Sequence, residues 1–432
     1  PENPEAGIDL FLEKLVQETE KEHEDILEQV DETDAMFGEL YSWYLRNPEY
    51  RSRVQKLVQS AFAGKPKDII SQSVAKALYG EVSPYSATRL ERFAACAFAH
   101  FLQYGMKLTE RVEYEFKPMD MGNVMHEALE SFAEEVRKRG MKWKELTEQE
   151  RNEIADRCLD NIVADYGNTV LKSSARNEYM IERTRRILRR TVWALQKQLE
   201  QGEFQPEGFE VTFGGGRIDR VDIMEDQNKV YVKVIDYKTG NTSFDLVYLY
   251  HGLQLQLMIY LDGALRVEQK KYPDKEIIPA GVFYYNIKDP MIQEKIDADV
   301  EAVSAGLMKE LKMNGLVQAD PELVYRMDSS LGSIPVAFNK DGSFRKNSSV
   351  ADRTQFAVLG RYVRTKIEKI RSSILEGDAE VSPYELGKKN ACTYCPYMTV
   401  CGFDRRLSGY EFRRLKNFSD EELWKAFDRE AE

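Results

Sequence analysis

Residues 230–238 read Val-Tyr-Val-Lys-Val-Ile-Asp-Tyr-Lys, an apolar, β-branched run that ends in two charged side chains. This pattern predicts a buried β-strand. Residues two apart on a strand point to the same face, so Asp236 and Lys238 lie side by side. The upstream segment 217–224 predicts a neighbouring strand, which can bring Asp219 to the same place. The sequence therefore predicts two carboxylates and a lysine at one point of a sheet.

A small mixed core with the element order αβββαβ is predicted around this strand. Strand periodicity covers 209–213, 217–224, 230–237 and 280–285, and helical periodicity covers 120–138, 145–202, 247–265, 290–313 and 351–376. Turns are expected at 214–216 and 225–229. We therefore expect a mixed α/β (α+β) fold with its core at 117–290, surrounding helices and a C-terminal cysteine segment.

The converging carboxylates predict a divalent metal ion. Asp219 and Asp236 would repel each other without a cation between them, and a hard ion such as Mg²⁺ or Mn²⁺ prefers such oxygens. His126, on the helix before the sheet, could complete the site. Lys238 could orient a water molecule and offset charge that develops on a phosphate. Taken singly, an Asp-X-Lys is also typical of a surface ion pair, and a helical histidine is also typical of core packing.

Gln256 and Tyr260 lie four residues apart on the next predicted helix and therefore share one face of it. That face could meet a phosphate or Lys238. The chain thus carries, in order, a histidine on a helix, an aspartate on one strand, Asp-X-Lys on the next strand and Gln-X-X-X-Tyr on the following helix. This ordered set resembles the restriction-endonuclease-like PD-(D/E)XK core and, within it, the RecB nuclease family.

The cysteines point to a second site. Cys392, Cys395 and Cys401 supply three thiols within ten residues, and a tetrahedral thiolate site needs a fourth. Cys96 is the natural candidate and Cys158 is the competitor. Spacing alone is compatible with Zn²⁺, with an iron–sulfur cluster, or with unrelated buried cysteines. Because Cys96 and Cys392 are 296 positions apart, a shared site would stabilise the folded chain by roughly 4–5 kcal/mol.

Composition and charge limit the classes of function. The 432 residues suggest two or three domains, and 42% hydrophobic residues predict a packed core. The net charge of −12 argues against general DNA coating, so any nucleic-acid contact must come from a local basic face. No long apolar run or signal peptide is evident, and the cysteines are few and odd in number. We expect a soluble, cytoplasmic chain and, since it starts at Pro1, a fragment.

The most basic stretch lies on the helix predicted over 145–202. Its five arginines are Arg183, Arg185, Arg186, Arg189 and Arg190. One interpretation is a solvated face, because Glu178 and Glu182 flank the stretch. The other interpretation is a surface that contacts the phosphates of a DNA strand.

The resemblance covers about residues 83–403 and is greatest to the C-terminal nuclease domains of the AddB subunits of bacterial AddAB helicase–nucleases. The motifs that carry it are Tyr-Ser-Ala-Thr-Arg-Leu-Glu-Arg-Phe-Ala-Ala-Cys96, Gly-Asn-Val-Met-His126, Gly-Arg-Ile-Asp219, Asp236-Tyr-Lys238-Thr-Gly, Gln256-Leu-Met-Ile-Tyr260 and Cys392-X-X-Cys395-Pro-Tyr. Ala97 departs from the proline that usually follows the first cysteine. No phosphate-binding Gly-X-X-X-X-Gly-Lys loop occurs, so we expect no ATP hydrolysis by this chain.

The resemblance implies roles for these residues. It implies that His126, Asp219 and Asp236 are metal ligands, that Lys238 is the catalytic lysine, and that Gln256 and Tyr260 are positioning residues. It also implies that Cys96, Cys392, Cys395 and Cys401 hold a [4Fe–4S] cluster.

The function implied is a Mg²⁺-dependent exodeoxyribonuclease. It would degrade single-stranded DNA, in the family the 5′-ended strand, that an AddA-type helicase–nuclease subunit delivers during repair of double-strand breaks by recombination. Residues 81–432 would form this nuclease domain, and residues 1–80 would be a helical connector or the remnant of a preceding helicase-like domain. The alternative is a catalytically inactive DNA-binding or scaffold module that keeps the fold and a structural iron–sulfur or zinc site.

Overall fold

The computed structural model describes residues 32–61, 69–80, 86–109, 118–165, 174–214, 216–292, 299–407 and 409–431. The helices, in chain order, are α1 (Glu32–Arg46), α2 (Pro48–Ala61), α3 (Gln72–Tyr79), α4 (Ala87–Ala95), α5 (Ala97–His100), α6 (Pro118–Lys138), α7 (Glu148–Asp165), α8 (Ala175–Glu200), α9 (Leu246–Tyr250), α10 (Gln256–Lys271), α11 (Val300–Glu310), α12 (Pro321–Met327), α13 (Arg353–Glu376), α14 (Met398–Cys401) and α15 (Asp420–Ala431). The strands are β1 (Gln205–Phe213), β2 (Gly216–Asp226), β3 (Lys229–Lys238), β4 (Glu276–Asn286), β5 (Asn314–Gln318), β6 (Val350–Ala351), β7 (Tyr384–Leu386), β8 (Lys389–Asn390) and β9 (Arg413–Arg414).

The described residues fall into two compact units. One unit contains residues up to Leu78 together with Ala95–Lys107 and Ile374–Lys416, and it includes the cysteine segment. The other contains Tyr79–Ala94, Leu108–Ser373 and the chain from Asn417 on, and it includes the large sheet. The helical pattern expected before residue 32 lies outside the described residues, and the predicted role of residues 1–80 stays a prediction.

A six-stranded mixed sheet, in the order β1-β2-β3-β4-β5-β6, organises the larger unit. The strands β1, β2 and β3 form an antiparallel meander, and β3 pairs with β4 in parallel. A parallel pair needs a crossover connection, which α9 and α10 supply between β3 and β4. The predicted αβββαβ core is confirmed, with α6 to α8 preceding the meander.

The sequence-based boundaries were wrong at two places in this unit. The helix expected over 247–265 is two helices, α9 and α10, because Gly252 breaks it with φ of 78°, a left-handed conformation that glycine adopts readily. A Cβ atom at Gly252 would also lie only 3.2 Å from Ala94 Cβ. The helical pattern over 145–202 likewise divides into α7 and α8, and Ser174 caps α8 by accepting a hydrogen bond from the Asn177 N–H.

Two strands, β5 and β6, extend the sheet beyond the predicted four. The strand β5 has only five residues and includes Gly315, where a Cβ atom would lie 1.9 Å from the Val282 carbonyl oxygen. A short strand with glycine at a close backbone approach carries little periodic signal, which explains why the prediction missed it.

The face of β2 opposite Asp219 buries a charged network. Asp222 is fully buried and accepts hydrogen bonds from Arg220 at 2.6 and 2.8 Å, and its carboxylate lies 3.0 Å from Lys233 Nζ. Asp222 and Lys233 are cross-strand partners of β2 and β3. Removing either charge would leave the others unpaired in the core, and a one-residue slip would turn Asp222 to the other face. This network therefore helps to fix the β2–β3 register.

Candidate active site

Three carboxylates form a row across neighbouring strands. The β1–β2 register places Glu210 opposite Asp219, and the β2–β3 register places Asp219 opposite Asp236. Opposite residues of an antiparallel pair share a face, with Cβ atoms about 4.5–5.5 Å apart. Tyr284 continues the row on β4, where it pairs with Asp236, and Lys238 lies on the same face two residues after Asp236. Four strands thus contribute to one site.

His126 joins this row from α6, which is held in place by the fully buried Met125. The Nδ1 atom of His126 lies 3.3 Å from Asp219 Oδ2, and the same oxygen accepts a hydrogen bond from the Tyr237 backbone N–H at 2.7 Å. Ligand atoms of His126, Glu210 and Asp219 all lie within 4.8 Å of one another. Among the residues that the structure describes, this is the one group of at least three such ligands that could hold a metal ion.

The proximity of these carboxylates has an electrostatic cost. Burial, together with the charge of Asp219, raises the pKa of both Glu210 and Asp236 to about 7. Burial opposes protonation of His126, but its hydrogen bond to Asp219 and the surrounding carboxylates raise its pKa above the ordinary value. A divalent cation would relieve this repulsion, and carboxylate oxygens with one imidazole are acceptable ligands for Mg²⁺ or Mn²⁺. The residues present therefore fit such an ion.

Lys238 is held by a chain of polar contacts. Its Nζ atom lies 2.6 Å from Asp236 Oδ2 and donates a hydrogen bond to Gln256 Oε1 at 2.8 Å. Gln256 Nε2 donates to the Tyr260 hydroxyl at 2.9 Å. The ammonium group also lies 5.4 Å from the Tyr284 ring centroid, a distance at which the ring face attracts a cation. The predicted helix face therefore meets Lys238 directly.

One member of the three-ligand group differs from the predicted metal set. His126 and Asp219 belong to it as predicted, but the third member is Glu210, and Asp236 contacts Lys238 instead. The role of Asp236 as a metal ligand stays a prediction. Glu210 could have been found from the hairpin, since a turn at 214–215 places it opposite Asp219. Its φ of 49° is uncommon for a residue other than glycine and is typical of functional positions.

The four predicted cysteines line one cavity in the smaller unit. Cys96, Cys392, Cys395 and Cys401 surround it together with apolar side chains such as Ala99, Tyr397 and Phe403. Burial, with the other three thiols, raises the pKa of Cys392 to about 11. The Phe403 backbone N–H donates a hydrogen bond to Cys401 Sγ at 3.5 Å. Cys158 instead belongs to the hydrophobic core of the larger unit and does not line the cavity, which favours Cys96 as the fourth member.

The five arginines predicted to contact DNA lie on α8, and most of them face carboxylates. Arg185 contacts Asp160 at 2.7 Å, Arg186 contacts Asp289 at 2.5 Å, and Arg189 pairs with Asp156. The guanidinium group of Arg190 lies 5.3 Å from the Trp193 ring centroid, and Arg183 is exposed. These contacts are those expected of a solvated, ion-paired face, and DNA binding by this stretch stays a prediction.

Comparison with known families decides the identity of this site. Residues 84–402 match the model of the PD-(D/E)XK nuclease superfamily. The chain belongs to this superfamily. Asp219 followed by Asp236-Tyr-Lys238 supplies the residue pattern that gives the superfamily its name. Membership implies a nuclease site that uses a divalent metal ion, in agreement with the donor set described above.

Proteins similar to this chain share one description, the B-type subunit of an ATP-dependent helicase/deoxyribonuclease. The protein of this description from Lachnoclostridium phytofermentans is 41% identical over 425 residues, which cover 93% of this chain and 36% of that protein. Those from Thermoanaerobacter sp. and Clostridium acetobutylicum are 34% and 33% identical, over 93% and 92% of this chain and 37% and 36% of their own lengths. The chain therefore spans about a third of these relatives. No helix among the described residues is long and apolar enough to cross a membrane.

The carboxylate row predicts a pH dependence of stability in the metal-free chain. Unfolded carboxyl groups ionise near pH 4, whereas Glu210 and Asp236 ionise at about 7 in the folded chain. Between these values the folded chain holds protons that the unfolded chain has released. The free energy of unfolding should therefore decrease as pH rises through this window, with the loss complete above the folded pKa. Urea unfolding in the presence of a chelator measures this.

Asp219→Asn should reduce that decrease, because the charge of Asp219 contributes to both raised pKa values. The matched control is Asp262→Asn, which removes an aspartate that pairs with Arg364 at 2.9 Å and lies outside the row. It should leave the pH dependence unchanged. An identical slope in the parent and Asp219→Asn would contradict the electrostatic coupling of the row.

Proposed function

We propose that this chain is the metal-dependent exodeoxyribonuclease domain of a helicase–nuclease. The observation that carries the proposal is the single polar row Glu210, Asp219 and Asp236 with Lys238 beside it, because it joins metal ligands to a fixed cation. Phosphodiester hydrolysis needs this combination: a site for a divalent ion and a positive charge where negative charge develops on the phosphate.

Each side chain has a distinct role in the proposal. His126, Asp219 and Asp236 would hold the ion, with Glu210 as an additional ligand that the structure suggests. A bound Mg²⁺ or Mn²⁺ ion would polarise the phosphate and lower the pKa of its bound water. Lys238 would orient the attacking water and offset the charge on the phosphate.

Gln256 and Tyr260 would act through Lys238. Gln256 accepts a hydrogen bond from the lysine and donates one to the tyrosine hydroxyl, so the ammonium group has a fixed direction. Holding a reacting group in place before the reaction lowers the entropic part of the barrier. We therefore assign both residues to positioning.

The substrate and partner are inferred from the relatives. Their description as a subunit of an ATP-dependent helicase/deoxyribonuclease supports DNA as the substrate of this domain and a helicase as its partner. We propose that the domain degrades single-stranded DNA, the 5′-ended strand, which an AddA-type helicase–nuclease partner delivers in double-strand-break repair.

We propose in addition that Cys96, Cys392, Cys395 and Cys401 hold a [4Fe–4S] cluster. Their convergence on one cavity supports a shared group. Among the described residues, no three of these sulfur atoms lie within 4.8 Å of one another. A tetrahedral zinc ion with Zn–S bonds of about 2.3 Å would require sulfur atoms about 3.8 Å apart. The wider spacing favours a larger cluster over a single zinc ion.

Lys238→Met should reduce Mg²⁺-dependent degradation of end-labelled single-stranded DNA by about 100- to 1000-fold, the usual effect of removing one charge-stabilising donor. Anaerobically purified chain is the sample. Lys369→Met is the matched control, since Lys369 is a largely exposed lysine on α13 and should be dispensable. Equal activity of the parent and Lys238→Met would refute the lysine's role, and degradation that persists in excess chelator would refute metal dependence.

Cys96→Ser should abolish the iron content and the visible absorbance of the purified chain, because one of four ligands is lost. Cys158→Ser is the matched control and should keep both, since Cys158 lies in the apolar core of the larger unit and does not line the cavity. Elemental analysis measures iron and zinc together. Stoichiometric zinc without iron in the parent would reject the cluster in favour of a zinc site.

A further inference from the structure

Glu91 makes an unusual contact for a residue so far from α10 in sequence. This glutamate lies on α4, and its Oε1 atom accepts hydrogen bonds from the backbone N–H groups of Leu255 at 2.7 Å and Gln256 at 3.0 Å. These groups belong to the start of α10, whose N-cap residue, Leu255, offers no side-chain hydrogen bond. The first N–H groups of a helix need an acceptor. Glu91 therefore supplies the cap that the local sequence of α10 lacks.

The residue capped in this way is the one that holds Lys238. Gln256 is the first residue of α10, and its side chain connects Lys238 Nζ to the Tyr260 hydroxyl. A helix end without a cap frays, and fraying here would release the Gln256 side chain from the lysine. The contacts from Glu91 to Lys238 thus run through one residue.

The surroundings of Glu91 indicate that the carboxylate has been retained against an electrostatic cost. Burial raises its pKa to about 7, although the two backbone N–H groups and the nearby charge of Lys238 act in the opposite direction. A buried carboxylate is costly unless its hydrogen bonds repay the lost solvation. Neither the metal ligands nor the lysine contacts described above use Glu91 directly, so its bonds to α10 are its evident task.

We propose that Glu91 is a positioning residue for the nuclease reaction: by capping α10 it fixes Gln256 and, through Gln256, the direction of the Lys238 ammonium group. This inference rests on the proposed function, because it assigns to Glu91 a part in the reaction that Lys238 serves.

The first test compares two helix caps. Glu91→Ala removes a carboxylate that accepts two backbone N–H groups, and Asp320→Ala does the same at α12, where Asp320 accepts from Glu322 and Leu323 at 3.0 and 3.3 Å. Both variants should lose some thermal stability. Only Glu91→Ala should lower kcat for single-stranded DNA, by about 10- to 100-fold with little change in KM, as expected for loss of an outer support of a catalytic group.

The second test reads the position of Lys238 without nuclease activity. Competitive acylation of the full chain, followed by mass spectrometry, gives the reactivity of each lysine. Glu91→Ala should increase the labelling of Lys238 several-fold, because its hydrogen bond to Gln256 is weakened, while Asp320→Ala should not. This readout remains decisive if the parent chain proves inactive on DNA, so a failure of the proposed function is distinguished from a failure of this inference.

Two conservative variants complete the design and serve if Glu91→Ala does not fold. Glu91→Gln keeps an acceptor oxygen at the same reach and should match the parent in kcat and in Lys238 labelling. Glu91→Asp is shorter by about 1.5 Å and should behave like the alanine variant. Parental labelling of Lys238 in folded Glu91→Ala or Glu91→Asp would overturn the proposal, as would an equal loss of kcat in Asp320→Ala.

Discussion

The register between β2 and β3 is the constraint on which the site depends. Asp219 and Asp222 lie on opposite faces of β2, so one register serves both the buried network and the polar row. In the core, Asp222 requires Lys233 across the strand pair, together with Arg220. On the other face the same register brings Asp219 opposite Asp236. The core thus enforces a contact between like charges that neither residue would favour alone.

That enforced repulsion connects the structure to its chemistry. Carboxylates whose pKa values are raised by burial and by one another are poised to exchange protons for a metal ion. The lysine end of the row is organised differently, by hydrogen bonds from α10 rather than by strand pairing. The row therefore has a metal-binding end near His126 and a cationic end near Gln256, and a phosphate has room to contact both functions.

The sequence predicted the parts of this arrangement that depend on local periodicity. Asp236 and Lys238 could be assigned to one face because strand alternation is a local property, and Gln256 and Tyr260 could be paired because helical spacing is local. Choosing Cys96 over Cys158 needed the resemblance to a family, since the two cysteines differ in tertiary position and not in local sequence.

The residues that the sequence did not predict act over long distances. Glu210 required the exact pairing of a hairpin, and Glu91 required knowledge that α4 packs at the start of α10, 164 residues later. The break at Gly252 was missed because the apolar pattern continues through it, while the backbone there is set by close packing against Ala94. Tertiary contacts of this kind leave little trace in periodicity.

The central claim is that the carboxylate row is a metal centre. Titration calorimetry of the full chain with Mn²⁺, beside Asp219→Asn, tests it most directly. The account predicts binding to the parent, and an affinity at least about ten-fold weaker in Asp219→Asn because a ligand and a negative charge are lost. Equal affinities for the two proteins, or no binding by the folded parent, would contradict it.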